Sequence, residues 1–321
     1  MPDGSTLQVC RDGEAPRRPG AVAAIGNFDG VHRGHRSLLD ITRAEAARRG
    51  VPAAVLTFEP HPRDFFRPQD PGFRLTSETA KLKILARFGI DIVFVRRFDA
   101  ALAATSAAEF VSRILKDELQ LSAVVIGHDF HFGRGREGTP ALLTELGAAA
   151  GIDILVQDAV AGGGAPVSST RIRAALAAGD IAAAEELLGY RWFVEGTVRH
   201  GEKLGRTLGF PTANIALPAG CRLRHGIYAV RVATAPGTIH DGVASFGRRP
   251  TFDNGAPLLE TFLFDFAGDL YGQSIEVEFL DWIRPEEKFA SAEDLVVAMN
   301  RDAARARAIA AAPRSAPSLI G

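Results

Sequence analysis

The sequence predicts an α/β domain with a doubly wound parallel sheet, followed by a small antiparallel β-barrel domain that ends in a helix. From Ala21 to about Leu188, short apolar runs alternate with helical stretches, the pattern of a parallel sheet wrapped by right-handed crossovers. From Trp192 the apolar residues alternate, in runs separated by Gly, Pro, Asp and Asn, which is the period of antiparallel strands closed as a barrel. Charged and alanine-rich positions return from Ser291 onward, so a C-terminal helix is expected over part of that barrel. The expected domains are residues 1–186 and 187–321.

The elements follow in order. Residues Met1–Gly20 mix Pro, Arg, Asp and Gly and read as a mobile arm or a poorly ordered first strand. Candidate strands are Ala21–Ile25, Ala53–Phe58, Ile92–Val95, Ala123–Ile126 and Ile154–Val156, each rich in Val, Ile or Ala, as strands buried on both faces are. A helix is expected from about His35 to Arg48, stopped by Gly50. Ser106 and Glu109 have capping-box spacing, and Thr139 with Pro140 opens another helix. Asp180 caps Ile181–Leu188, and Gly189 ends it. In the second domain the strands are Gly226–Val232, Leu259–Phe266 and Ser274–Leu280, and the tail Ala311–Gly321 is expected to fray.

Composition narrows the function classes. Of 321 residues, 46% are hydrophobic and 23% charged, which suits a chain with a sizeable core. A net charge of −1 offers no field to draw nucleic acid or an anionic membrane, so an anionic ligand must be held by local donors. Cys10 and Cys221 have no spacing suited to zinc or a redox pair and are expected as free thiols in a reducing compartment. No signal-peptide apolar region is seen at the start, and no apolar run approaches the roughly 20 residues of a membrane helix. A cytoplasmic protein with small-molecule substrates is expected, and an oligomer is compatible with the sequence.

The first chemical motif is Gly26-Asn27-Phe28-Asp29-Gly30-Val31-His32-Arg33-Gly34-His35, between the first expected strand and helix. At that position free N–H groups of a helix start meet phosphate, and Gly26, Gly30 and Gly34 let the backbone come close to a ligand. His32 and His35 are three apart and would share one face, where two imidazoles can bond phosphate oxygens as charge builds in a transfer step. As zinc ligands the pair lacks a third residue at suitable spacing. The string is neither GxxxxGK[ST] nor GxGxxG, which argues against a P-loop ATPase or a dehydrogenase.

Further along, Ser168-Ser169-Thr170 opens a late helix and can cap it or bond phosphates, with Arg171 as a permanent cation. Glu59-Pro60-His61-Pro62 makes a rigid extended turn, either structural or the rim of a site. Gly133–Arg136 is a basic loop. In the second half, Gly201–Asn214 is rich in glycine and basic residues, a flap that can fold over phosphates and exclude water. Thr212 and Asn214 are two apart and face one side of an extended segment, a hydroxyl and an amide oxygen suited to Mg²⁺. Glu260, Phe262, Phe264 and Phe266 are expected on one strand face, so Glu260 is either at a solvated strand end or held there for chemistry.

The Gly26–His35 string resembles the signature of the nucleotidyltransferase superfamily, in the form found in the adenylyltransferase module of prokaryotic bifunctional riboflavin kinase/FAD synthetases. Thr57–Pro62, Gly127–Gly133 and Ser168–Arg173 are similar to that family in the same order, and Gly201–Asn214 resembles the riboflavin kinase signature. The resemblance runs from Ala21 to about Ala298. It implies phosphorylation of riboflavin to FMN and adenylylation of FMN to FAD, each using ATP with Mg²⁺. For the adenylyl step it implies catalytic roles for His32 and His35. ATP contacts would come from Gly26, Phe28, Asp29, Gly34, Ser169, Thr170 and Arg171. Flavin contacts would come from Pro60, His61 and Pro62, with Asp129 and Phe130 from a segment that lines the flavin or ATP site. For the kinase step it implies ATP contacts from Gly201, Lys203, Gly205, Gly209 and Pro211. Thr212 and Asn214 would bind Mg²⁺, and Glu260 would be the general base for the ribityl hydroxyl. The chain departs from the pattern near His128, at Ser245-Phe246, where Asn is common at the start, and at Phe262, where His is frequent. The last two touch the expected kinase flavin pocket.

Overall fold

The computed structural model describes residues 7–16, 18–162, 164–199, 211–218, 220–248 and 257–321. The chain forms two compact units, Met1–Pro71 with Glu78–Val167, and Gly72–Ser77 with Ser168–Gly321.

The first unit is built on a parallel sheet of β1 (Gln8–Cys10), β2 (Val22–Ile25), β3 (Ala53–Glu59), β4 (Ile92–Arg97), β5 (Ala123–Gly127) and β6 (Asp153–Gln157). Its spatial order is β1-β4-β3-β2-β5-β6. The five expected strands are present. The N-terminal segment adds a sixth, with Gln8 opposite Ile92 and Cys10 opposite Phe94. Ala23, Ala24 and Val22 are wholly buried, as strands covered on both faces should be. The chain moves outward through β3 and β4 on one side of β2 and through β5 and β6 on the other. The switch point, where open α/β sheets bind ligands, therefore lies at the end of β2.

The helices of this unit are α1 (Arg33–Arg49), α2 (Pro62–Phe66), α3 (Glu78–Arg87), α4 (Ala100–Ala104), α5 (Ala107–Glu109) and α6 (Pro140–Ala150). α1 begins two residues before the expected start, because His32 serves as its N-cap. Gly50 ends it at φ +68°, donating its N–H to Ala46 and Ala47 carbonyls, a conformation that suits glycine. The Ser106–Glu109 capping box forms in full, and α5 runs on as a π-helix over Phe110–Glu118. Two short strands, β7 (Ala161–Gly162) and β8 (Ala165–Pro166), pair antiparallel at the end of the unit.

The second unit opens with α7 (Ser169–Ala178) and α8 (Ile181–Leu188). It continues through β9 (Phe193–Thr197), β10 (Thr212–Ala216), β11 (Gly226–Ala235), β12 (Thr238–Arg248), β13 (Pro257–Leu263) and β14 (Ser274–Arg284) to α9 (Ala292–Ala311). The strands form one antiparallel sheet, ordered β10-β13-β12-β11-β14-β9. Its two edges meet where the Arg199 N–H donates to the Asn214 carbonyl at 2.8 Å, so the barrel is nearly closed. Ala306 of α9 packs on Ala229, Phe264, Leu280 and Ile283, which covers one face. Residues 72–77 join this unit through the buried Trp192, whose indole N–H donates to the Leu75 carbonyl at 2.8 Å.

Two expectations are corrected here. The strand placed at Leu259–Phe266 ends at Leu263, because Asp265 turns the chain with φ +54° and is held there by Arg307. Glu260 and Phe262 therefore share a face, while Phe264 is buried beneath α9 beyond the strand. The tail is also anchored rather than frayed. Leu319 and Ile320 are buried, and the Pro317 carbonyl accepts the Arg191 N–H at 3.1 Å. Ionic contacts hold the same region. The Arg191 guanidinium lies 3.2 Å from the wholly buried Glu278 carboxylate, and Arg314 lies 3.6 Å from Glu185. Burial pushes both carboxyls above the usual range, against the opposing pull of those arginines.

Candidate active sites

The first site forms where β2 gives way to α1. Phe28 and Val31 are wholly buried yet carry positive φ of +49° and +33°, and Gly30 stands at +83°. Non-glycine residues reach this region only when their surroundings impose it, as functional turns do. The turn delivers His32 into its capping position, where its Nδ1 accepts the His35 N–H at 3.3 Å. The two imidazoles stack with centroids 3.7 Å apart and planes 13° from parallel, and the Phe28 ring lies 5.0 Å from His35. A Cβ on Gly34 would stand 3.2 Å from the His32 ring, so a side chain there would press on the stack.

His35 is partly exposed as a residue, yet its Nδ1 is enclosed and has no hydrogen-bond partner among the described residues. Burial of the ring, then the neighbouring His32 and Lys81, hold its pKa well below the usual imidazole value. It is therefore neutral at pH 7, with one N–H to donate rather than a second cation to offer. Lys81 was not singled out in the sequence. It stands on α3 beside Ala80, one turn before Ile84 and Leu85, all buried. A lysine on the apolar stripe of a helix was the available signal.

The other expected residues of this site lie on neighbouring loops or in the second unit. A cis peptide joins Glu59 to Pro60, and His61 caps α2 through its Nδ1, with Pro62 opening the helix. Phe58, Phe65, Phe66 and Phe98 form a cluster of edge-on rings around this corner. At the end of β5, Asp129 is exposed and Phe130 stacks on Phe132 with 5.6 Å between centroids. Ser169, Thr170 and Arg171 open α7 in the second unit, where Ser168 caps the helix by accepting the Arg171 N–H at 3.4 Å.

The second site is a matter of strand register. Asn214 on β10 stands opposite Glu260 on β13, and Glu260 stands opposite Ser245 on β12. Directly opposed antiparallel residues bring their Cβ atoms within about 5 Å. Thr212 precedes Asn214 on the same face, opposite Phe262. Asn214 is buried, and its side-chain oxygen has no hydrogen-bond partner among the described residues. Glu260 is half-buried. A cleft of about 270 Å³ opens beside this row, lined by Pro211, Thr212, Asn214, Phe266, Asp269 and Tyr271 among others. The flap residues Gly201, Lys203, Gly205 and Gly209 lie outside the described residues. Among the described residues, no cluster of three or more His, Cys, Asp or Glu could hold a metal ion, and Cys10 and Cys221 are buried and outside any disulfide.

The FAD synthetase family model matches residues 14–171, and the riboflavin kinase family model matches residues 188–310. The chain is 43% identical over 294 residues to the bifunctional riboflavin kinase/FMN adenylyltransferase of Escherichia coli (strain K12), covering 92% of this chain and 94% of that protein. The chain belongs to the bifunctional riboflavin kinase/FMN adenylyltransferase family. The family member from Pseudomonas fluorescens is 44% identical over 297 residues, 92% of this chain and 95% of that one. A solved structure described as the macrolide-efflux protein from Streptococcus pneumoniae shares the fold, with a TM-score of 0.79 at 29% identity. That likeness spans 90% of this chain and 96% of the other. Among the described residues, no helix is long and apolar enough to cross a membrane. The two family matches leave the interval from 172 to 187 between them, which holds most of α7 and α8.

Proposed function

We propose that this chain makes FAD in two steps, phosphorylating riboflavin with ATP to FMN and then adenylylating FMN with a second ATP, and that each step uses the residues named above. What carries the assignment is that a stacked histidine pair at a sheet switch point and an Asn–Glu row across a barrel occur in one chain. Neither arrangement is needed for the other's chemistry. We assign the adenylyltransferase to residues 1–186 and the kinase to 187–321, working on small molecules in the cytoplasm.

In the kinase step, Glu260 takes the proton of the ribityl hydroxyl as its oxygen attacks the γ-phosphorus of ATP and ADP leaves. Thr212 and Asn214 fit Mg²⁺ because both offer neutral oxygens and the Asn214 oxygen is buried without a partner. When bound there, the ion would neutralise phosphate charge. The adjoining cleft receives the nucleotide. The remaining kinase assignments, Gly201, Lys203, Gly205, Gly209 and Pro211, are to ATP.

In the adenylyl step, an FMN phosphate oxygen forms a bond to the α-phosphorus of ATP while the α–β bridging P–O bond breaks and pyrophosphate departs. His32 and His35 donate hydrogen bonds to the phosphates as charge builds, and the α1 N-terminus adds backbone N–H groups. Gly26, Phe28, Asp29 and Gly34 shape that turn. Ser169, Thr170 and Arg171 are assigned to ATP. Pro60, His61, Pro62, Asp129 and Phe130 bound the flavin.

The test is one incubation of purified protein with riboflavin, ATP and Mg²⁺, the flavins then separated chromatographically. FMN that appears and gives way to FAD is expected. Accumulation of FMN alone would remove the first assignment. Unchanged riboflavin with conversion of added FMN would remove the second.

A further inference from the structure

Lys81 is a charged side chain in the interior, only 1% exposed. A buried ammonium at such a site is costly unless it is paired. This one is held by the Glu59 carboxylate at 2.6 Å and lies 3.4 Å from the Thr57 hydroxyl. The Thr57 hydroxyl in turn donates to the Asn27 carbonyl at 3.3 Å. A chain of contacts thus runs from α3 through the end of β3 into the turn before α1. That turn holds Phe28, Gly30 and Val31 at positive φ and persists only where its surroundings over-determine it.

We propose that Lys81 is a positioning residue for adenylyl transfer, fixing through Thr57 the turn that carries Phe28 and Asp29 and supplying a buried positive charge that acts on His35. The inference rests on the first unit being the adenylyltransferase. On α1 itself Arg33 and Arg36 flank His35. β2 and β5, which pack on α1, carry no ionisable residue, and β3 carries only Glu59. His32 and Asp29 lie on the turn itself. Lys81 stands among the causes that lower the His35 pKa, after burial and His32.

The full chain is assayed for both steps as wild type, Lys81→Met, Lys81→Arg and Thr57→Val, with circular dichroism to check folding. Lys81→Met should lower kcat for FMN to FAD by on the order of 10²-fold, the scale of a misplaced reacting group, with riboflavin phosphorylation unchanged. Its adenylyl pH profile should lose activity at a higher pH on the acid side, because His35 protonates more readily once the neighbouring cation is gone. Lys81→Arg keeps the charge and should keep the acid limb in place. Thr57→Val should lower kcat without moving the limb. Wild-type kcat in Lys81→Met, or a loss with an unmoved acid limb, overturns the inference. Should Lys81→Met not fold, wild-type kcat in Thr57→Val overturns it. A wild-type protein that makes no FAD from FMN refutes the adenylyltransferase reading itself, before any variant is considered.

Discussion

The two units build their candidate sites from different materials. In the first, the site is made where a strand ends. A turn with three residues at positive φ, a helix start and a stacked histidine pair fall within ten residues of sequence. In the second, the site is made across strands. Asn214, Glu260 and Ser245 come from β10, β13 and β12, and only the register brings them into one row. The first depends on local backbone geometry and the second on pairing between distant segments. A change at either should leave the other at work.

The sharpest break of that comparison is Glu260→Gln. Riboflavin phosphorylation should fall by about 10³-fold, within the range for loss of a general base, while FMN to FAD proceeds at the wild-type rate in separate assays. Next comes the charge network that braces the second unit. Arg191→Met leaves Glu278 buried without its guanidinium and should cost about 3 kcal/mol of that unit's stability, measured by denaturant unfolding. His35→Ala should reverse the first pattern, lowering FAD formation by about 10²-fold, the scale of one lost transition-state donor, with FMN formation intact. Asn214→Ala should raise the Mg²⁺ concentration for half-maximal kinase activity about tenfold, with the riboflavin KM little changed.

The smallest effect concerns pH. His35 has its pKa depressed in the folded chain, so below about pH 6.5 the unfolded chain binds a proton that the folded one refuses. The stability tied to neutral His35 is complete above that pH and is lost as pH falls toward the depressed folded value. Melting temperatures at pH 7 and pH 5.5 should differ less in His35→Gln than in the wild type.

The same contrast governs what could be read in the sequence. Caps and punctuation are local, so Gly50, the Ser106–Glu109 box, Thr139 and Asp180 are legible and appear in the fold as expected. The histidine pair is legible because its members stand at i and i+3. Glu260 and Asn214 are legible only as separate positions, since no spacing predicts that they face each other across a ladder. The end of β13 was missed because Phe264 and Phe266 continue the alternation beyond the turn at Asp265. The tail was missed because its small residues hide an anchor made by Leu319 and Ile320 with Arg191. Lys81 was missed because a lysine normally marks a helix's wet side.

Asn214 closes the barrel with its backbone and faces Glu260 with its side chain. Asn214 thus takes part in both the seam and the row with Glu260. On the roles proposed for Asn214 and Glu260, a change at this seam should reach the kinase site through Asn214. The amide proton of Arg199, sheltered by that same carbonyl, reports on both at once.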